Sequence, residues 1–334
     1  MSDTTTVRRG ATTVSPGIQA PVRDRLDLVL ENLRGIAVSD FSMIEEVNAY
    51  LLDVPGKLFR PTLLLLASDV GGESSEDAVT LGAVVELVHI ATLVHDDAVD
   101  HSVLRRGMPT VNSLWTHQIA IIMGDYLYSR AVTELARLGN LEAVRVLATA
   151  ANTMSVGEMR QLLSYDDVTY SEAEYYRLIA AKTASLMSAA CEMGALAGVR
   201  ALRVPFRRFG HFLGMAFQIA DDMLDYAGRE DVTGKPGGLD LRERKVTLPL
   251  VGALREMSPP EVDQIRHVFT LTDPGDDEVG AAIDLVRRNG GLEYARRKAL
   301  EYAGSAEAEI AGLTPGPALD ALSEAVVYAV DRSR

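Results

Sequence analysis

Apolar residues recur along this chain with the three-to-four-residue spacing of helices, and hardly anywhere with the alternation of a half-buried strand. In "VRDRLDLVLENLRGI" Leu26, Val29, Leu30 and Leu33 form one stripe. The segments "LGAVVELVHIATLVHDD", "LEAVRVLATAANTM", "EAEYYRLIAAKTASLMSAACEMGALAG" and "FGHFLGMAFQIADDMLDY" predict further long helices. Breakers fall between them, in "VPGKLFRP", "GVRALRVP", "EDVTGKPGG", "REMSPPE" and "LTDPGDDE". The pattern predicts an all-α protein. The helices around 81–95 and 212–225 are apolar on most faces, which predicts central positions in one bundle. With no repeat, low-complexity stretch or composition shift, one domain over residues 21–334 is expected, with the region after Pro249 a candidate subdomain. Residues 1–20 read as a disordered tail.

Composition narrows the function. A chain of 334 residues with 47% hydrophobic content can bury a large core. The net charge of −14 argues against nucleic acid, whose phosphates demand basic surface. An anionic substrate must therefore meet a local basic cluster or bound cations. Cys191 is the lone cysteine, which leaves no disulfide framework or cysteine metal site and suits a reducing compartment, with the cytoplasm as default. No apolar run approaches the roughly 18 residues of a membrane span, so no stable membrane insertion is expected. Arg8 and Arg9 precede no apolar segment, so an export signal is not expected.

The chemistry lies in two acidic clusters. Asp96 and Asp100 are four apart, one helical turn above each other, with Asp97 beside them. Like charges at that spacing repel, and they follow an apolar helix. A lone cluster reads most simply as a solvated helix end. The second, Asp221, Asp222 and Asp225 in "FQIADDMLDYAGREDVTGKPGG", repeats the arrangement and changes that reading. If the two helices face each other, six carboxylates can hold magnesium ions, and those ions a diphosphate. Bound metal would invert the local field of an acidic protein.

Basic residues supply the third element. Lys57 and Arg60 lie in "GKLFRP", Arg105 and Arg106 follow the first cluster, and Lys235 and Lys245 flank "GGLDLRER". Each alone reads as an ordinary surface residue. Lys182 differs, because an unpaired ammonium inside the apolar "AKTAS" helix is costly.

The ordered set "GKLFRP", "ELVHIATLVHDDAVDHSVLRRG", "MGDYL", "GEMRQL", "KTASL", "FQIADDMLD" and "GKPGGLDLRERKVTLPL" resembles the trans-isoprenyl diphosphate synthases, or polyprenyl synthetases, from about residue 25 to the C-terminus. The resemblance implies the isoprenoid synthase fold, long helices around a deep central cavity, usually in a homodimer. It implies that isopentenyl diphosphate condenses with an allylic diphosphate whose departure is aided by magnesium, three ions with diphosphate bound. By motif position, Asp96, Asp97, Asp100, Asp221, Asp222 and Asp225 would bind metal, the first and last of each cluster most directly. Arg105, Lys182, Lys235 and Lys245 would hold the allylic diphosphate. Lys57, Arg60, His89 and Arg106 would bind isopentenyl diphosphate, and Thr183 and Gln218 would stabilise the carbocation through their dipoles. Glu86, Asp125 and Gln161 are candidates for supporting roles, and His95 reads as structural. The chain departs from the family where a small residue commonly precedes the last loop lysine: here it is Arg244, and "GGLDL" replaces a more polar segment.

Product length follows from the residues before Asp96. Those four to eight positions earlier lie roughly 6 to 12 Å deeper along the helix. In the family a bulky aromatic there blocks growth, whereas this chain has Ala91 and Thr92. A long all-trans product, such as a quinone side-chain precursor, is expected, with geranylgeranyl or farnesyl diphosphate as the alternative. The helix holding Leu147 to Met154 is a candidate tunnel floor. A terpene cyclase would carry an asparagine and serine pattern in place of DDMLD. A metal phosphohydrolase would need more histidine ligands than six unhelpfully spaced ones provide. A non-catalytic subunit of a heteromeric synthase should have lost its aspartates.

Overall fold

The computed structural model describes residues 16–53, 56–105, 107–163, 170–227 and 237–331. The expected all-α architecture is what it shows. In chain order the helices are α1 (Pro16–Gln19), α2 (Arg23–Ala37), α3 (Ser42–Asp53), α4 (Phe59–Asp69), α5 (Asp77–Val99), α6 (Val111–Leu114), α7 (His117–Arg137), α8 (Leu141–Leu163) and α9 (Glu172–Ile179). They continue with α10 (Ser185–Ala197), α11 (Arg203–Ala227), α12 (Leu239–Arg242), α13 (Leu248–Leu254), α14 (Pro259–Thr270), α15 (Asp276–Arg288), α16 (Gly291–Ile310) and α17 (Pro317–Val330). Among the described residues the only sheet is a two-stranded antiparallel hairpin, β1 (Leu104–Arg105) with β2 (Met108–Pro109).

Helices apolar on every face take the centre. Leu63 to Ala67 of α4 and Leu81 to Val88 of α5 are buried without a break, Glu86 included. Burying each such Leu or Val is worth roughly 1.5–3 kcal/mol, so these helices specify the interior more strongly than any surface pairing. Around them α4 packs on α10, α10 on α11, α5 on α7, and α11 on α16. By windowed hydropathy α5 is long and apolar enough to cross a membrane, which corrects the expectation that no such run exists. Most of that window, 61%, is buried inside the bundle, so its apolar surface is already covered.

Two corrections concern boundaries. The tail expected over residues 1–20 cannot extend that far, because α1 docks Ile18 into the core at 0% exposure, against α17. The region after Pro249 shares one apolar cluster with Tyr175 and Ile179 of α9 and with Met215, Ile219 and Tyr226 of α11, so packing crosses that boundary. Residues 1–15, Arg106 and Lys235 lie outside the described residues.

Glycine sets two close approaches near the future site. A Cβ on Gly214 of α11 would sit 2.6 Å from Ala184 Cα, and one on Gly157 of α8 would sit 2.7 Å from Ala181 Cβ. Both neighbours belong to residues 180–184, so two helices close onto one short segment. Gly214→Val should cost about 1–3 kcal/mol, because the clash is with backbone. Urea melts check this, and unchanged stability would mean that α11 has room to shift.

Candidate active site

Residues Ala180–Ala184 form a single π-helical turn between α9 and α10. Such turns interrupt the helical ladder and recur at functional sites. Here the turn carries Lys182 and Thr183 and presents them to three helices.

Lys182 reaches α5 and α8. Its ammonium lies 2.7 Å from Glu158 Oε2 and 3.6 Å from Asp96 Oδ2, and donates to Gln161 Oε1 at 3.1 Å. Burial works against its charge, but Asp96 and Glu158 outweigh burial and raise its pKa. The cost of an unpaired ammonium among apolar neighbours is thereby offset by two carboxylates.

Thr183 reaches α11. Its hydroxyl donates to Gln218 Oε1 at 2.6 Å, the Gln218 amide donates to Asp222 Oδ1 at 2.7 Å, and the Tyr175 hydroxyl donates to Asp222 Oδ2 at 2.6 Å. Because Asp222 accepts the amide NH2, the Gln218 carbonyl faces Thr183. The hydroxyl hydrogen is thereby committed to Gln218, and the threonine oxygen keeps its lone pairs for another contact.

The acids of each cluster divide by position. Asp97 and Asp222, the middle ones, are buried at 6% and 8% exposure. Asp97 Oδ2 accepts from Arg105 Nε at 2.7 Å, and Asp222 is held as just described. Asp96 and Asp100 are half-buried, and Asp221 is exposed. Asp225 accepts the N–H of Leu239 and of Asp240 on its two oxygens, both at 3.0 Å, and so caps α12. Each middle acid is thus engaged with the protein, and the six carboxylates do not form one uniform ligand set.

Opposing charges close the loop side. Lys245 Nζ lies 2.6 Å from Glu243 and 3.9 Å from Asp100. Lys182, Thr183, Gln218, Asp222 and Lys245 line one cavity of about 190 Å3, together with Gln161, Tyr175, Asp240 and Arg244.

Burial raises Asp96 to about 6, against the pull of Lys182. Burial likewise raises Asp222, which lies close to the other acids of its cluster, and pushes Asp240 well above the usual carboxylate range. Native Asp96 keeps its proton to about pH 6, whereas an unfolded aspartate ionises near pH 4. Its contribution to stability is therefore complete below about pH 4 and is lost as pH rises through about 6. In chelator, Asp96→Asn should gain on wild type by an amount of order 2 kcal/mol between pH 4 and 7. Thermal melts across that range check it, and parallel curves would put Asp96 in water.

The other expected residues lie nearby in the fold or elsewhere. Lys57 donates to the Tyr328 hydroxyl at 3.3 Å, while Phe59 stacks on Phe217, the neighbour of Gln218, at 5.5 Å. Arg60 and His89 are half-buried on the packed pair α4 and α5. Ala91 is buried and Thr92 half-buried; the Thr92 hydroxyl donates to His89 O at 2.7 Å, which leaves its methyl as the free end. His95 contacts Ile121 O at 3.1 Å and Asp125 at 3.3 Å. Asp125 is 72% exposed there and touches no other expected site residue among the described contacts. Leu147 and Met154 are buried in α8.

Sequence reasoning missed Glu158, Tyr175 and Asp240. Glu158 sat inside the noted "GEMRQL" and Asp240 inside "GGLDL", so a charge in a marked segment was the available signal. Tyr175 gave none, being one of eleven tyrosines.

Among the described residues no three His, Cys, Asp or Glu side chains form a ready metal cage. The donors fit magnesium nonetheless. It binds through one or two carboxylates plus substrate phosphates and water, and the carboxylates of Asp96, Asp100 and Asp222 beside Lys182, Lys245 and Gln218 are hard oxygen ligands of that kind.

The family model described as polyprenyl synthetase matches residues 41–286. The chain is 35% identical over 308 residues to octaprenyl diphosphate synthase of Escherichia coli, covering 92% of this chain and 94% of that protein. It is 34% identical over 309 residues to heptaprenyl diphosphate synthase component 2 of Geobacillus stearothermophilus, covering 91% and 95%. A short chain isoprenyl diphosphate synthase of Methanothermobacter thermautotrophicus matches at 34% over 291 residues, covering 85% and 89%. The crystal structure of a decaprenyl diphosphate synthase from Rhodobacter capsulatus superposes with a TM-score of 0.89 at 35% identity, covering 95% of this chain and 98% of that one.

Proposed function

This chain belongs to the polyprenyl synthetase family, and from that premise we propose that it condenses isopentenyl diphosphate with an allylic diphosphate into a long all-trans polyprenyl diphosphate. One observation carries the reading. A single π-helical turn touches both acidic helices, through Lys182 to Asp96 and through Thr183 and Gln218 to Asp222. That contact of one turn with both clusters supports reading them as parts of one site, with Lys182 and Thr183 in the lining of its cavity.

The roles follow from chemistry. Asp96 and Asp100 on one side, and Asp221 and Asp225 on the other, would hold magnesium, which when bound neutralises diphosphate charge and eases its departure. We read the number of ions as three. Lys182, Lys245 and Arg105 bind and orient the allylic diphosphate, and to do so they leave Glu158, Glu243 and Asp97 in favour of phosphate oxygens. Thr183 oxygen, fixed by Gln218, turns a preorganised dipole to the carbocation, and Asp222 with Tyr175 keeps that pair in register. No side chain here needs to be a strong base, since the departed diphosphate can take the final proton. Lys57, Arg60 and His89 are assigned to isopentenyl diphosphate, on the α4–α5 side of the same centre.

A long product is favoured by the small residues Ala91 and Thr92 and by relatives named for octaprenyl and decaprenyl products. The deciding experiment is incubation of the chain and magnesium with labelled isopentenyl diphosphate and each allylic primer in turn, followed by chromatography. Chains beyond geranylgeranyl length are expected. Products ending at farnesyl or geranylgeranyl diphosphate would shorten the assignment. Turnover of an allylic diphosphate without isopentenyl diphosphate would make it a cyclase, and no turnover alone would make it a subunit awaiting its partner.

The active unit is proposed to be a homodimer in the cytoplasm. Ile122 on α7 and Met159 on α8 are each 60% exposed, apolar surface that a second copy would cover. Sedimentation of the purified chain tests this.

A further inference from the structure

The helix α12 ends in a Schellman motif. The Arg244 N–H donates to Leu241 O at 3.1 Å, and the Lys245 N–H donates to Asp240 O at 2.7 Å. The residue between those two bonds must take a left-handed backbone, and Arg244 does so with φ 55. Glycine is the usual occupant because it adopts that conformation without strain. An arginine held there is a standing cost to the fold. Strain of this kind persists where surrounding structure enforces it, and it clusters at binding sites.

The place of Arg244 fits such a site. It is half-buried and lines the cavity shared by Lys182, Lys245, Gln161 and Thr183. The two lysines enter that cavity already matched by acid, Lys182 by Glu158 and Asp96, and Lys245 by Glu243 and Asp100. Asp222 and Asp240 add further carboxylates to the same wall. Arg244 adds a third basic side chain to the lining of that cavity. Its planar fork matches two phosphate oxygens in a fixed bidentate geometry, whereas a lysine acts as a compact point charge.

We propose that Arg244 is a further binding residue for the allylic diphosphate, and that by retaining each extended diphosphate it raises the number of condensations completed before release. The proposal rests on the function proposed above. Every condensation yields another allylic diphosphate, so product length depends on how fast that molecule is extended relative to how fast it leaves. An added phosphate contact acts mainly on the rate of leaving. Chain length is then set at the head group as well as in the tunnel.

The test compares wild type with Arg244→Gly and Arg244→Lys in the full chain with magnesium. Calorimetry with inorganic diphosphate should show about tenfold weaker binding for the glycine variant and an intermediate loss for lysine. The KM for the allylic diphosphate should rise by a similar factor while that for isopentenyl diphosphate holds, and products should shorten. The Tm of the glycine variant should match or exceed wild type, because the strained turn is relieved. Wild-type diphosphate affinity in that variant, or a loss of affinity accompanied by a lower Tm, would overturn the binding role. Weaker binding with unchanged product lengths would overturn the retention role. If wild type fails to condense any primer yet the variant binds inorganic diphosphate tenfold less well, the reaction assignment fails and Arg244 stands as a diphosphate ligand.

Discussion

Asp96→Ala and Asp221→Ala are each expected to reduce turnover by about a thousandfold, which corresponds to roughly 4 kcal/mol of lost transition-state stabilisation. Both acids are the first of their cluster, whereas the middle acids Asp97 and Asp222 are held by Arg105, Gln218 and Tyr175. On the proposed ligation, removal of either would leave metal and diphosphate without one anchoring carboxylate. Folding is not the cause of the loss. Burial already disfavours the Asp96 charge, and Lys182 keeps Glu158 at 2.7 Å and Gln161 at 3.1 Å when Asp96 is gone. Asp221 is exposed. Steady-state rates over a magnesium series, beside circular dichroism melts, separate the two effects. Near-normal condensation by both variants would sink the metal assignment.

Ala91→Phe moves the product distribution as a whole toward shorter chains. Ala91 lies five residues before Asp96 on α5, about 7.5 Å deeper along the helix, where the proposed tunnel would carry the growing hydrocarbon. A phenyl group there fills the path and leaves the metal end intact, so the rate of the first condensation should change little. Ala91 is 2% exposed within the main core, and overpacking it can cost about 1–3 kcal/mol. Thr92→Phe serves as the companion variant because that position is only half-buried. Chromatography of products from both decides the point. An unchanged length distribution in two folded variants would remove this face of α5 from the tunnel.

The long helices were legible in two ways: α8 and α11 bury stripes that recur at helical spacing, whereas α5 and α10 carry apolar runs too long for a strand. The two acidic clusters were legible for a similar reason: charge ended an apolar run, twice. What stayed hidden depends on contacts between remote segments. Tyr175 meets Asp222 across 47 positions and Thr183 meets Gln218 across 35, and no local pattern encodes either pairing. The helix α1 was read as tail because four residues are too few to show a period, and only its docking on α17 fixes it. The membrane-like character of α5 was missed because Glu86 breaks the run to the eye while the surrounding hydropathy carries it.

The π-helical turn at residues 180–184 also leaves a mark on how substitutions in this region will be felt. An α-helix advances about 100° per residue, and the extra residue accommodated in that turn displaces α10 by one such step relative to α9. A mutational scan through 172–197 would therefore show a sensitivity wave that loses its phase at Lys182 and resumes offset beyond Ala184. An inserted or deleted residue is ordinarily ruinous in a core helix. Here, a deletion within 180–184 would restore an unbroken rotation while turning Lys182 and Thr183 to different neighbours, so loss of chemistry could be parted from loss of fold.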